Sequence, residues 1–165
     1  MADTSTTKST ARERGASVPL FSEEEPDRLN DVVRQWLRNA SEPPIILMAC
    51  GRTGAGRSTF LNHIFTGKVQ GHKKLFTYNS PFDTTTKGGL PVTKGIHAVQ
   101  LTLKELCDKH HLTGVEGISP STMVLLIDTE AVQEQVVPPD FHLMPYLLAL
   151  LPITTCCLLV CNYQN

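Results

Sequence analysis

Hydrophobic positions recur along this chain with two periods, and the alternation between them predicts a layered α/β fold. The run Ile45-Ile46-Leu47-Met48-Ala49-Cys50 is uninterrupted and of strand length. Met123-Val124-Leu125-Leu126-Ile127 is a second such run, and uniform apolarity suits a strand covered on both faces. Residues 156–161 read as a third. Over residues 97–104 the pattern changes. His97, Val99, Leu101 and Leu103 alternate with Ala98, Gln100, Thr102 and Lys104, a period of two that predicts an edge or one-sided strand. Val18-Pro19-Leu20-Phe21 reads as a short strand or a packing clip.

Helical spacing appears in three places. Leu29, Val32, Val33, Trp36 and Leu37 fall on one face, so a helix is expected over residues 26–39 with Trp36 as a core anchor. Ser22-Glu23-Glu24-Glu25 has capping-box spacing and Pro26 suits a first turn, which places the start of that helix. Leu61, Ile64 and Phe65 predict a helix after the first long strand, and residues 141–151 predict another. Pro145, Pro152, Thr154 and Thr155 interrupt the apolar stretch 143–161. It therefore divides into a short helix and a strand instead of one membrane span of ~20 residues. Other stretches lack periodicity. Residues 1–17 are Ser/Thr-rich, without the apolar core of a signal peptide, and are expected to be a disordered tail. Residues 66–92, with four glycines and four lysines, read as a long mobile connection, a kind of loop that is usually functional or disordered. Residues 105–121 read as a polar excursion, and residues 131–140 as a loop broken by Pro138-Pro139.

Bulk composition narrows the function classes. A length of 165 residues suits one domain. The formal net charge is -1, with both signs interspersed, so no global field points to nucleic acid or a membrane surface. The five cysteines (Cys50, Cys107, Cys156, Cys157 and Cys161) are odd in number and form no C-x-x-C. Four of them have apolar neighbours, and together they read as buried free thiols of a reducing, cytoplasmic compartment.

The candidate chemistry lies in residues 51–62, GRTGAGRSTFLN, between the first long strand and its following helix. The spacing is that of a phosphate-binding loop, G-x-x-x-x-G-K-[ST], with Gly51, Gly56 and Ser58 in place and Arg57 at the lysine position. Glycine permits the backbone to wrap closely around a phosphate. The amides of Arg52, Thr53, Gly54, Ala55, Gly56, Arg57, Ser58 and Thr59 would then face it, aided by the positive end of the helix dipole. The hydroxyl of Ser58 suits a Mg2+ ion bridging the outer phosphates. Two further pieces complete a nucleotide switch. Asp128, with Thr129 and Glu130, stands at the carboxyl end of a buried strand, the ligand side of such sheets. Thr93-Lys94-Gly95 closes the long connection and can bring the Thr93 hydroxyl to the same ion.

Thr93-Lys94-Gly95-Ile96, Leu125-Leu126-Ile127-Asp128-Thr129-Glu130 and Leu61-Asn62 after the loop resemble the guanylate-binding protein and atlastin group of dynamin-like large GTPases. The resemblance covers about residues 18–165. It implies a P-loop NTPase fold, a mostly parallel sheet with helices on both faces, and residues 18–165 as a partial GTPase domain. It also implies GTP and GDP as ligands, Ser58 and Thr93 as the magnesium and switch hydroxyls, Asp128 as the metal-side acid, and a homodimer across the nucleotide face.

The sequence departs from that family at four points. Arg57 replaces the lysine, and a planar guanidinium is not a compact point charge. Gly54 stands where the family has an arginine implicated in the transition state. Ala131 replaces the glycine after D-T-E. The guanine-reading residues that the family carries further on have no counterpart through Asn165, which reads as a truncated domain. Loss of an arginine from phosphoryl-transfer stabilisation can cost ~10³-fold or more, so slow hydrolysis is expected. The rival readings are a pseudo-GTPase serving as a protein-interaction module, and an ATP-using P-loop enzyme such as a kinase.

Overall fold

The computed structural model describes residues 17–51, 55–67, 95–129 and 143–161. The readings of residues 1–16 as a tail and of 68–92 and 131–140 as loops lie outside them.

Five strands form one mixed sheet: β1 (Val18–Pro19), β2 (Ile45–Gly51), β3 (Ile96–Thr102), β4 (Met123–Thr129) and β5 (Cys156–Val160), in the order β1-β3-β4-β2-β5. β4, β2 and β5 run parallel, whereas β3 is antiparallel to β4 and to β1. The expectation of a mostly parallel sheet is thus corrected to a mixed one. The cause is the connection between β3 and β4, which returns the chain to the neighbouring position running the opposite way.

Helices cover both faces, as expected. α1 (Asp31–Asn39) and α4 (Leu143–Leu150) share one face, where Val33, Leu147 and Leu150 pack with Ile46, Met48, Leu125 and Ile127. Trp36 and Leu37 pack against that cluster, and the Phe21 and Tyr146 rings meet at 4.7 Å. α2 (Arg57–Thr66) and α3 (Leu103–Lys109) cover the other face, where Leu61, Leu103 and Cys107 meet Ala49, Val99, Val124 and Leu126. β4 lies between the two layers with all seven residues buried, which is why its sequence is uniformly apolar up to Asp128. β3 also buries residues on both faces, Ile96 and Ala98 on one and Val99 and Leu101 on the other, and is not the one-sided strand its alternation suggests.

Two helix boundaries differ from the sequence reading. α1 begins at Asp31 and not near Pro26, capped by Asn30, whose side chain accepts from the Val32 amide at 2.9 Å. The Ser22 hydroxyl does accept from the Glu24 and Glu25 amides. However, the Ser22 amide donates to the Arg28 carbonyl and Phe21 bridges to Leu29, closing residues 22–28 into a turn. α3 lies where a polar excursion is expected. Its start is a capping box: the Glu105 amide donates to the Thr102 hydroxyl and the Thr102 amide donates to the Glu105 carboxylate. Thr102→Ala removes one half of that box and should lower stability by about 1 kcal/mol, read from the midpoint of urea unfolding.

The 143–161 stretch is α4, a short 3-10 turn (Leu151–Ile153) and β5, as the prolines and threonines predict. Pro145 sits in the first turn of α4, where no intrahelical amide is needed. Among the described residues no helix is long and apolar enough to cross a membrane.

Candidate functional site

The glycine-rich segment joins β2 to α2 at the carboxyl ends of the parallel strands. Gly51, the last residue of β2, is required by space. A β-carbon built on it would stand 2.3 Å from the Val160 carbonyl oxygen at the end of β5. Gly56 is required by conformation. It caps α2 with φ 91°, a region costly for residues with a side chain, while a β-carbon there meets nothing within 4 Å among the described residues. Gly56, having no side chain, offers no side-chain cap to α2. Residues 52–54 lie outside the described residues, so Arg52, Thr53 and Gly54 have no structural account. Ala55 and Thr59 are half-buried on either side of the turn into α2.

Ser58 and Asp128 come together although 70 residues separate them. Ala49 of β2 is level with Asp128 of β4, and the first turn of α2, which begins at Arg57, reaches that strand end through Ser58. The Ser58 hydroxyl donates to Asp128 Oδ2 at 2.5 Å. Asp128 and Thr129 are wholly buried, and the Thr129 hydroxyl donates to the Ala49 carbonyl at 3.0 Å, tying β4 to β2 beside the carboxylate. Ile96 pairs with Thr129, so Gly95 and the start of β3 stand at this same end of the sheet. Thr93, Lys94 and Glu130 lie outside the described residues.

The placement of the Arg57 side chain is a feature that sequence spacing does not disclose. That side chain is buried, with 7 % exposure, and Nη1 donates to the Thr129 carbonyl at 2.6 Å. Its Cδ passes 3.5 Å from the β-carbon position of Gly51. The guanidinium therefore braces the end of β4, a use its length and multiple donors allow and a lysine's single ammonium suits less well.

Among the described residues no group of three or more His, Cys, Asp or Glu side chains is placed to hold a metal ion. A cation bound here would draw on the Ser58 and Asp128 oxygens together with ligand oxygens. Hydroxyl and carboxylate are the hard donors magnesium prefers, and it commonly takes only one or two from the protein.

The cysteines correct the expectation of buried thiols. Cys107 is buried and Cys50 half-buried, but Cys156, Cys157 and Cys161 are exposed. β5 lies last in the sheet order, with Leu159 75 % exposed, so apolar neighbours in sequence do not bury it. Burial pushes the Cys50 thiol up to about 11 from its ordinary 9.0, with the nearby Cys157 adding to the shift. The neutral thiol is thus favoured by folding. That stabilisation is complete below pH ~9 and is lost as the pH rises towards 11. The wild type should lose stability across pH 9–11 more steeply than Cys50→Ala, compared by urea denaturation at each pH.

The fold and this site define an α/β protein with a glycine-rich strand–turn–helix facing a buried strand-end carboxylate. No protein family, curated protein or solved structure matches this chain.

Proposed function

We propose that this chain is a P-loop GTP-binding module of the guanylate-binding protein and atlastin class, with hydrolysis weakened by its own sequence. The observation that carries the reading is the Ser58–Asp128 pair at the carboxyl ends of two adjacent parallel strands. Ligands of open α/β sheets bind at such strand ends. Amides of residues 52–59 would hold the phosphates at the start of α2. Ser58, Asp128 and Thr93 would hold magnesium, which when bound neutralises charge on the outer phosphates. Thr93, Lys94, Gly95, Thr129 and Glu130 would form the segments that sense the γ-phosphate. The reaction of such a site is attack of water on that phosphate, and pairing of two copies across the nucleotide face belongs to the same proposal.

A second reading rests on Arg57. Its charge is buried against the Thr129 carbonyl, which favours a pseudo-GTPase that keeps the architecture for protein interaction. Isothermal titration with magnesium and GTP separates the two. The first reading expects saturable binding that ATP competes for poorly and that Ser58→Ala weakens ~10-fold or more, the value of a hydrogen bond to a charged group. No heat of binding at millimolar GTP would leave the pseudo-GTPase.

A further inference from the structure

β2 and β5 place two of the five thiols side by side. Met48 stands opposite Cys157 and Cys50 opposite Leu159. Residues two apart on a strand share a face, so Cys50 and Cys157 project from the same side of the sheet, one diagonal step apart. Their sulfurs lie 3.9 Å from each other. Cys157 is open to solvent, while Cys50 is half-buried against the cluster beneath α1 and α4. The remaining cysteines are placed differently. Cys156 points to the opposite face from Cys157, Cys161 follows the end of β5, and Cys107 is buried in α3.

We propose that Cys50 and Cys157 form a dithiol modification site, oxidised by hydroperoxides to an intramolecular disulfide that fastens β5 to β2 beside the glycine-rich turn. The exposed Cys157 reacts first. Its thiolate attacks one peroxide oxygen, forming an S–O bond as the O–O bond breaks, and the departing hydroxide takes up a proton to leave as water. The Cys50 sulfur then attacks the Cys157 sulfur. An S–S bond forms, the S–O bond breaks, and hydroxide leaves with the Cys50 proton as a second water. One hydrogen peroxide and two thiols thus give one disulfide and two waters.

Closure draws the sulfurs from 3.9 Å to about 2.05 Å, and the diagonal register requires β5 to shift along β2. An exposed bridge formed with such a shift is of the kind that thiols readily reduce, which suits a reversible modification. The shift also reaches the end of β2, because Val160 is the strand partner of Gly51.

The test treats the full chain with hydrogen peroxide, blocks remaining thiols with N-ethylmaleimide and sequences the non-reduced peptides by mass spectrometry. The expected product is a Cys50–Cys157 link within one chain, with Cys50 lost from the alkylated pool and recovered after dithiothreitol. Cys156→Ser and Cys161→Ser should keep this link. Cys157→Ser should leave Cys50 alkylated, and its exposed position spares the core. Links of Cys157 to Cys156 or Cys161, links between chains, Cys157 over-oxidised while Cys50 stays alkylated, or no oxidation would each overturn the proposal.

Discussion

Gly51→Ala should be more destabilising than Gly56→Ala, lowering stability by about 2–4 kcal/mol. The added carbon would stand 2.3 Å from the Val160 carbonyl oxygen, so β2 or β5 must move to admit it. Forced overpacking of that kind costs roughly 1–3 kcal/mol, and the φ of 156° adds torsional strain. Gly56→Ala separates the two contributions. It meets no neighbouring atom among the described residues and carries the cost of a left-handed backbone, about 1 kcal/mol. Urea unfolding of both variants checks the order. Equal losses would mean that β5 does not press on the start of the loop.

The second large effect is on ligand and not on fold. Asp128→Asn should reduce magnesium-dependent GTP affinity by about 10–100-fold while changing stability by less than ~1 kcal/mol. Asn keeps the shape and can still accept the Ser58 hydroxyl, so the buried contact survives. It removes the negative charge, and interactions with a charged group are worth about 1.5–3 kcal/mol each. A variant that unfolds would assign Asp128 to structure. Unchanged affinity would take the carboxylate out of the proposed metal set.

Much of this architecture is legible in the sequence because it is locally encoded. The uniform run at 123–127 announces a strand buried on both sides, and the apolar runs on either side of the glycines announce the strand β2 and the helix α2 that flank them. The failures each have a physical cause. Ser22 to Glu25 and Thr102 to Glu105 have the same spacing, yet only the second starts a helix. Ser22 instead sits in a turn closed by its own amide on the Arg28 carbonyl, a contact outside the local window. The alternation through Leu103 hides α3, because the last apolar position of the pattern is already the first residue of the helix.

The site divides in the same way. That Asp128 ends a buried strand is readable, but its proximity to Ser58 depends on β4 lying beside β2 in the Ala49–Asp128 register. Spacing likewise identifies Arg57 as the lysine equivalent without showing which way its side chain turns. The choice of the Thr129 carbonyl comes from the packing of α2 against the strand end. The Cys50–Cys157 contact needs the neighbour order of the sheet and could not be read from residues 107 apart.

The most direct test replaces magnesium with manganese in the presence of GTP and follows backbone amide signals by NMR. The proposed site predicts paramagnetic broadening centred on residues 56–58 and 127–129, absent without nucleotide and removed by excess magnesium. Broadening elsewhere on the chain, or none at saturating GTP, would contradict a triphosphate and its cation seated between Ser58 and Asp128.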